Sequence, residues 1–188
     1  MNSVQKIAKY SEESDDPYSH PAEFKIAPTS TGTPRITATV PSGEASLIQS
    51  LLNALDGPIL LLYVLHTTRG ECPVGRYQSG DLTREEANRF LDRFKGYFQA
   101  DARFDLWLHF PNSQATIVWD RHNLLYLYGL IDQLQHRLIS LGFQPGDPNA
   151  NFVHTHYYRS EFDQDARELL SYFDWNFSEL RPEDIQSA

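Results

Sequence analysis

Residues Phe104 to Gly129 decide the fold: FDLWLHF (104–110), PNSQ (111–114), ATIVWD (115–120), RHN (121–123) and LLYLYG (124–129). In the first segment, apolar residues at every second position would share one face, as on a strand that covers a core. The two short polar segments have the residue types that turns require. The stretch therefore predicts an antiparallel meander of three strands, over about 104–128.

The segments on either side predict helices and further strands. The clearest helix begins at Thr83, where Glu86 completes a capping box and an apolar stripe runs on to Phe98. ILLLYVLH (59–66) is apolar at every position but the last, which is typical of a central strand covered on both faces. The other predicted elements are a strand at 36–40, a helix around 47–55, a helix at 130–141, a strand at 151–158 and a helix at 162–173.

The predicted order is β-α-β-α-β-β-β-α-β-α, which indicates an α+β fold with a mixed sheet and about four helices packed on it. We expect residues 35–188 to form a single domain, because this length suits one full core. Residues 1–34 are rich in Ser, Thr, Pro and acidic residues without an apolar period, so the sequence predicts a loosely ordered arm there.

The charge is strongly acidic and unevenly distributed. The chain of 188 residues has a formal net charge of −9, and its last 29 residues contain eight acidic residues and two arginines. This balance argues against nucleic acid and an anionic membrane as partners, since both attract cations. It favours a basic protein partner, although solubility alone also explains it. Without a signal-peptide or membrane-span pattern, we expect a cytoplasmic location.

His154 and His156 are the strongest metal-site candidates. On a strand, alternate side chains share a face, so both imidazoles would project together. Such a pair can supply two ligands to Zn²⁺ or Fe²⁺, with a third from elsewhere. The candidates for that third ligand are His66, His109, Asp120 and His122. The alternative is two partly buried imidazoles that are hydrogen-bonded to Tyr157, Tyr158 and the backbone.

The segment from Thr67 to Asp81 reads as a long glycine-containing loop before a helix. Arg69, Arg76 and Tyr77 make it a candidate binding site for a small anion. Gly70 and Gly75 have the spacing of a phosphate-binding loop, but Arg-Tyr follows them instead of Lys and Ser or Thr, which excludes that motif. An ordinary surface loop is the alternative.

Cys72, the only cysteine, has no clear activating partner and is expected to be unreactive.

Asp120 and His122 are the candidate catalytic pair. A carboxylate can orient an imidazole that acts as a general base near neutral pH. The competing interpretation is that Asp120 to Asn123 only form a turn between two strands.

Three functions remain open on the sequence alone. The first is a non-catalytic binding protein for a basic partner, such as an adaptor or an immunity protein. The second is a small metal-assisted hydrolase that uses His154 and His156. The third is small-anion binding at the loop 67–81.

Overall fold

The computed structural model describes residues 5–10 and 15–184. It confirms the α+β class: five helices pack on a nine-stranded sheet, and a three-stranded sheet lies beside them. The strands are β1 (Ile7–Tyr10), β2 (Asp15–Pro17), β3 (Glu23–Pro28), β4 (Pro34–Thr39), β5 (Ile59–Leu65), β6 (Gly75–Leu82), β7 (Phe104–Phe110), β8 (Ala115–Trp119), β9 (Leu124–Tyr128), β10 (Gln144–Pro145), β11 (His154–His156) and β12 (Asn176–Ser178). The helices are α1 (Ala45–Leu52), α2 (Arg84–Arg93), α3 (Lys95–Ala100), α4 (Ile131–Ser140) and α5 (Asp163–Leu170), with short 3-10 turns at Ser160–Phe162 and Pro182–Asp184.

The large sheet has the strand order β10-β3-β4-β9-β8-β7-β5-β6-β12. Only β10 and β3 pair in parallel; the other neighbours are antiparallel, so the sheet is mixed. The predicted meander is confirmed, with Leu106 opposite Trp119 and Ile117 opposite Leu127. Because side chains alternate along each strand, these residues all face the helices and form the centre of the core.

The strand β5 lies inside the sheet, between β6 and β7, as its apolar sequence predicts. Its partner β6 corrects the sequence prediction, which gave residues 67–81 as a loop. Residues 75–82 instead form a strand, and the loop ends at Val74. In β6, Tyr77 is buried and Gln78 is exposed. The glycines at 75 and 80 and the polar residues between them give no apolar alternation in the sequence from which this strand could be predicted.

The predicted capping box begins α2. The Thr83 hydroxyl accepts a hydrogen bond from the Glu86 amide, and the Glu86 carboxylate accepts one from the Thr83 amide. The apolar stripe is buried as expected, but Phe94 leaves the helical conformation with φ −108° and ψ 13°. The stripe is therefore divided between α2 and α3, which turns Tyr97 and Phe98 onto Phe104 of the sheet.

The described part of the predicted arm differs from the loosely ordered segment that its composition suggests. Three strands form within residues 1–34, and Ile7, Ala8 and Phe24 are buried. The strands β1 and β2 pair with β11 in the small sheet, while β3 extends the large one. In the described part of this segment few apolar side chains are buried, too few to give the composition a visible period.

The helices cover one face of the large sheet and leave much of the other face accessible. Phe90, Leu91, Leu134 and Leu138 of the helices pack in the same core as the inward residues of the meander. On the opposite face, Arg35, Trp107 and Tyr126 are only partly buried. No helix in the described ranges is long and apolar enough to cross a bilayer.

Candidate functional site

Three histidines from distant parts of the chain meet at one place. His122 lies in the turn between β8 and β9, while His154 and His156 are the ends of β11. One nitrogen of each ring lies within 4.8 Å of a nitrogen of the other two. The ring centroids are 5.2 Å (His122–His154), 4.8 Å (His122–His156) and 5.0 Å (His154–His156) apart.

The small sheet places the two histidines of β11. Antiparallel pairing puts His156 opposite Ile7 and His154 opposite Lys9. Because two residues separate them along an extended strand, both rings lie on the same side of it. Ile7 is fully buried and fixes β1 against the body of the protein, so the position of β11 depends on residues that precede it by about 150 positions.

His122 is placed by a tight turn that Asp120 organises. One carboxylate oxygen of Asp120 accepts hydrogen bonds from the backbone amides of His122 (2.8 Å) and Leu124 (2.9 Å). Asn123 adopts a left-handed conformation with φ 59°, which asparagine tolerates better than most residues. The predicted turn is therefore present, and it holds His122 at the end of the meander.

Hydrogen bonds fix the protonation of two of the rings. His122 Nδ1 donates to Asp120 Oδ2 (3.1 Å), and His154 Nδ1 donates to the carbonyl of Phe152 (2.7 Å). A proton on Nδ1 leaves the lone pair of Nε2 available in the neutral ring. Outer partners of this kind, a carboxylate and a backbone carbonyl, are typical of metal-binding histidines.

His156 supplies the third imidazole of the cluster, and its side chain is partly buried. Its Nε2 is inaccessible to solvent and makes no hydrogen bond within the described residues. Burial, followed by the nearby His122 and His154, lowers the pKa of His156 to about 3. The ring is therefore neutral at physiological pH and has an unused lone pair, which is the state in which imidazole binds a metal.

Asp120 remains ionised beside this cluster although it is almost fully buried. Burial alone would raise the pKa of Asp120, but the hydrogen bonds from His122 and from the backbone amides outweigh it and lower the pKa. The Tyr126 hydroxyl approaches the same carboxylate at 3.4 Å. The site therefore contains a fixed negative charge that is hydrogen-bonded to the ring of His122.

The arrangement suits zinc or a similar transition metal. Zn²⁺ binds imidazole nitrogens at about 2.0–2.1 Å, so three tetrahedral ligands lie about 3.4 Å apart. The nitrogens at up to 4.8 Å need to approach one another by about 1 Å or less each. Three protein ligands leave the fourth position of a tetrahedral ion for water or substrate.

A cleft of about 500 Å³ opens beside His122. Its walls are the outer face of the sheet and the loop before β11. The lining residues are Arg35, Thr37, His122, Leu124, Tyr126, Pro148, Asn149, Ala150 and Asn151. Its volume is in the range of small-molecule sites.

The other histidines and the aspartate proposed as third ligands lie outside the cluster. His66 Nε2 is 2.9 Å from Asp105 Oδ2, and His109 Nδ1 is 2.9 Å from the Thr116 hydroxyl. Asp120 is hydrogen-bonded to His122 Nδ1 and is not one of the three residues whose ligand atoms lie together. Of the four candidates, only His122 shares a cluster with His154 and His156 in the described chain.

The three residues proposed for anion binding are occupied by partners within the chain. Arg69 donates to Asp163 Oδ1 at 3.0 Å, and Arg76 donates to Asp184 Oδ1 at 2.5 Å. The Tyr77 hydroxyl donates to the carbonyl of Pro73 at 2.6 Å. Arg76 and Tyr77 also lie on β6 instead of a loop, so the three do not converge as a cradle on one loop. Burial raises the pKa of the Cys72 thiol, in line with an unreactive cysteine.

The acidic residues near the start of α5, the candidate contacts for a basic partner, also have partners within the chain. Asp163 pairs with Arg103 (2.8 Å) as well as Arg69, and Arg93 pairs with both Asp165 and Glu168. Much of this charge is therefore neutralised locally. Capture of a basic protein stays a prediction, and these contacts add no support to it.

Sequence reasoning missed two residues beside the cluster, His20 and Arg35. His20 is buried, and its Nε2 donates to the carbonyl of His122 at 2.8 Å, which holds the turn from behind. Burial lowers the pKa of His20, so its ring is neutral. No local sequence pattern marks either residue as functional. His20 lies in the segment 1–34, whose composition predicts loose order, and Arg35 is a single cation just before the predicted strand 36–40.

No protein-family model, curated protein or solved structure matches this chain. The chemistry of the histidine cluster and its cleft is therefore the basis for assigning a function.

Proposed function

We propose that the chain binds a divalent transition metal, with zinc as the first candidate, through His122, His154 and His156. We further propose that it uses this metal for hydrolysis of a small substrate. The convergence of three imidazoles, one of them neutral and the other two with Nδ1 already hydrogen-bonded, supports the proposal. Partly buried histidines that only stabilise a fold are instead expected to satisfy both nitrogens with protein or water.

The ligand set favours catalysis over a purely structural role. Structural zinc sites have four protein ligands, whereas catalytic ones have three and leave a position open. The bound metal would lower the pKa of a water molecule to about 7 and so supply hydroxide at neutral pH. Three neutral ligands do not reduce the positive charge of the ion, in contrast to carboxylate ligands, and this strengthens that effect.

Asp120 acts in this proposal as a positioning residue. Its carboxylate holds the proton on Nδ1 of His122 and makes Nε2 more basic, while its two backbone contacts fix the turn. It is not placed to act as a general base, because its oxygens are buried and already accept four hydrogen bonds. The pair Asp120 and His122 is therefore proposed to support metal binding, rather than proton transfer by His122.

The cleft gives the substrate access to the ligand His122. The outer sheet face forms its floor and the segment 148–151 forms one wall, so a bound molecule would lie between a rigid surface and a loop. Small molecules fit this volume, whereas a polypeptide would meet it only with a side chain or an end.

Hydrolysis of 4-nitrophenyl acetate and 4-nitrophenyl phosphate by zinc-loaded protein tests the proposal. We expect one of the two to be cleaved, with activity lost after chelation and restored by zinc. His156→Ala should abolish it, while His136→Ala, on the exposed face of α4, should leave it unchanged. Stoichiometric metal without hydrolysis of either ester above the rate of free zinc would contradict the catalytic part.

A further inference from the structure

Arg35 is held at the floor of the cleft that His122 lines. It is the second residue of β4 and pairs with Tyr128 of β9. Its guanidinium carbon lies 4.9 Å from the ring centroid of Tyr126, so the planar group rests over an aromatic face. This contact limits the rotation of a long side chain that lines the cleft.

The charge of Arg35 has no ion-pair partner. Among the described residues, no carboxylate lies within 4.0 Å of its guanidinium. Four carboxylates line an adjoining cleft with it, those of Asp105, Asp120, Glu183 and Asp184, and each has another partner. Glu183 lies 3.8 Å from Arg181, and Asp184 lies 2.5 Å from Arg76. Asp105 accepts from the Arg121 amide and faces His66, and Asp120 is occupied by the turn around His122.

An arginine without a counter-ion in a concave site is suited to bind an oxyanion. Its donors form a fork that matches the two oxygens of a carboxylate or phosphate. Thr37 and Asn151 add hydrogen-bonding side chains to the same cleft, and Leu124 and Pro148 add a small apolar surface. These walls fit a small molecule that has one anionic group and a short apolar part.

We infer that the cleft binds the anionic group of the substrate, a terminal phosphate or carboxylate, through Arg35. The inference rests on the proposed function and deepens it, because the metal held by His122 would lie at one end of the same cleft. Arg35 is a binding residue in this account: it holds the anionic end, while the bond to be cleaved lies toward His122.

Calorimetric titration with inorganic phosphate and, separately, with acetate tests the inference. Each anion is added to wild type, Arg35→Gln, Arg35→Lys and the control Arg167→Gln, whose exposed side chain contacts Gln164 on α5. Both zinc-loaded and metal-free protein are used, and zinc content is measured for every sample. Comparison of the two anions distinguishes a phosphate from a carboxylate substrate.

We expect metal-free wild type to bind at least one anion, Arg35→Gln to lose about tenfold or more in affinity, and Arg35→Lys to lose less. Arg167→Gln should match wild type, and all four proteins should contain equal zinc. Equal anion binding by wild type and Arg35→Gln, or no binding of either anion by wild type, would overturn the inference. Wild-type protein that binds no zinc would overturn the proposed function instead. The titrations of metal-free protein would still decide the role of Arg35.

Discussion

Nδ1 of His122 donates a hydrogen bond to the carboxylate of Asp120 across 3.1 Å, and the same aspartate organises the turn that carries His122. One residue therefore controls both the position and the protonation of a proposed metal ligand. His154 has an equivalent contact with the carbonyl of Phe152. The three rings thus meet, and two of them are already hydrogen-bonded through Nδ1.

Replacement of Asp120 by Asn should weaken metal binding without removing any ligand. The amide preserves an oxygen for the backbone contacts but loses the charge that favours the proton on Nδ1 of His122. We expect zinc affinity to fall by about 10–100-fold, as for other outer-shell partners of histidine ligands. Competition with a chromogenic chelator measures the change. Asp132→Asn, at an exposed position of α4, is the control, and equal affinities in both variants would contradict the positioning role.

Arg103 lies at the centre of a buried ion-pair cluster that is separate from the histidines. Its fully buried guanidinium contacts Asp101 (3.0 Å), Glu71 (3.0 Å) and Asp163 (2.8 Å). Arg103→Met would leave Asp101 buried without a counter-charge, so we expect unfolding free energy to fall by about 3–5 kcal/mol. In Arg89→Met, which breaks an exposed pair with Glu85, the loss should stay below about 0.5 kcal/mol. Urea unfolding that gives similar losses for both would refute this account of the cluster.

Lys6 should make stability depend on pH. Burial lowers its pKa from 10.5 to about 7, so the unfolded chain binds more protons than the folded chain between these values. Unfolding free energy therefore gains a positive slope from about pH 7 upward, at most about 1.4 kcal/mol per pH unit. The free energy of unfolding of wild type minus that of Lys6→Met should therefore increase from pH 7 to pH 9. A difference that is constant over this range would show that Lys6 keeps its proton, supported by the Trp119 ring at 4.0 Å.

Gly129, at the end of β9, should not tolerate a side chain. It has φ 69°, and an added Cβ would lie 2.7 Å from the carbonyl oxygen of Gln114. We expect Gly129→Ala to destabilise by about 2 kcal/mol or more, from the left-handed conformation and the backbone contact together. Gly80→Ala, with nothing within 4 Å of the new Cβ, should be neutral or slightly stabilising. Thermal unfolding of the two variants compares them directly.

The sequence predicts the meander and the main helices because their signals are local. Alternation from Phe104 to Phe110 and the capping box at Thr83 each depend on residues within one element. The strand β6 is not predicted because its two glycines are residues typical of loops. β1 escapes it because two buried residues, Ile7 and Ala8, are too few to show a period.

The candidate site could be predicted only in part. The alternation of His154 and His156 indicates two ligands on one strand face, and His122 is among several candidates for the third. Choosing between them requires the pairing of β1 with β11, which places β11 beside the end of the meander. That contact joins segments about 150 residues apart in the chain, and nothing in either segment alone specifies it.

Metal content of protein purified without a nickel column tests the central claim most directly. Wild type and His136→Ala should contain about one zinc per chain, while His122→Ala and His156→Ala should contain almost none and remain folded by circular dichroism. Because His122 comes from a different segment than β11, its loss separates a three-histidine site from a simple histidine pair. Wild-type protein that takes up no zinc after dialysis against it, or His122→Ala that retains the full amount, would contradict the account.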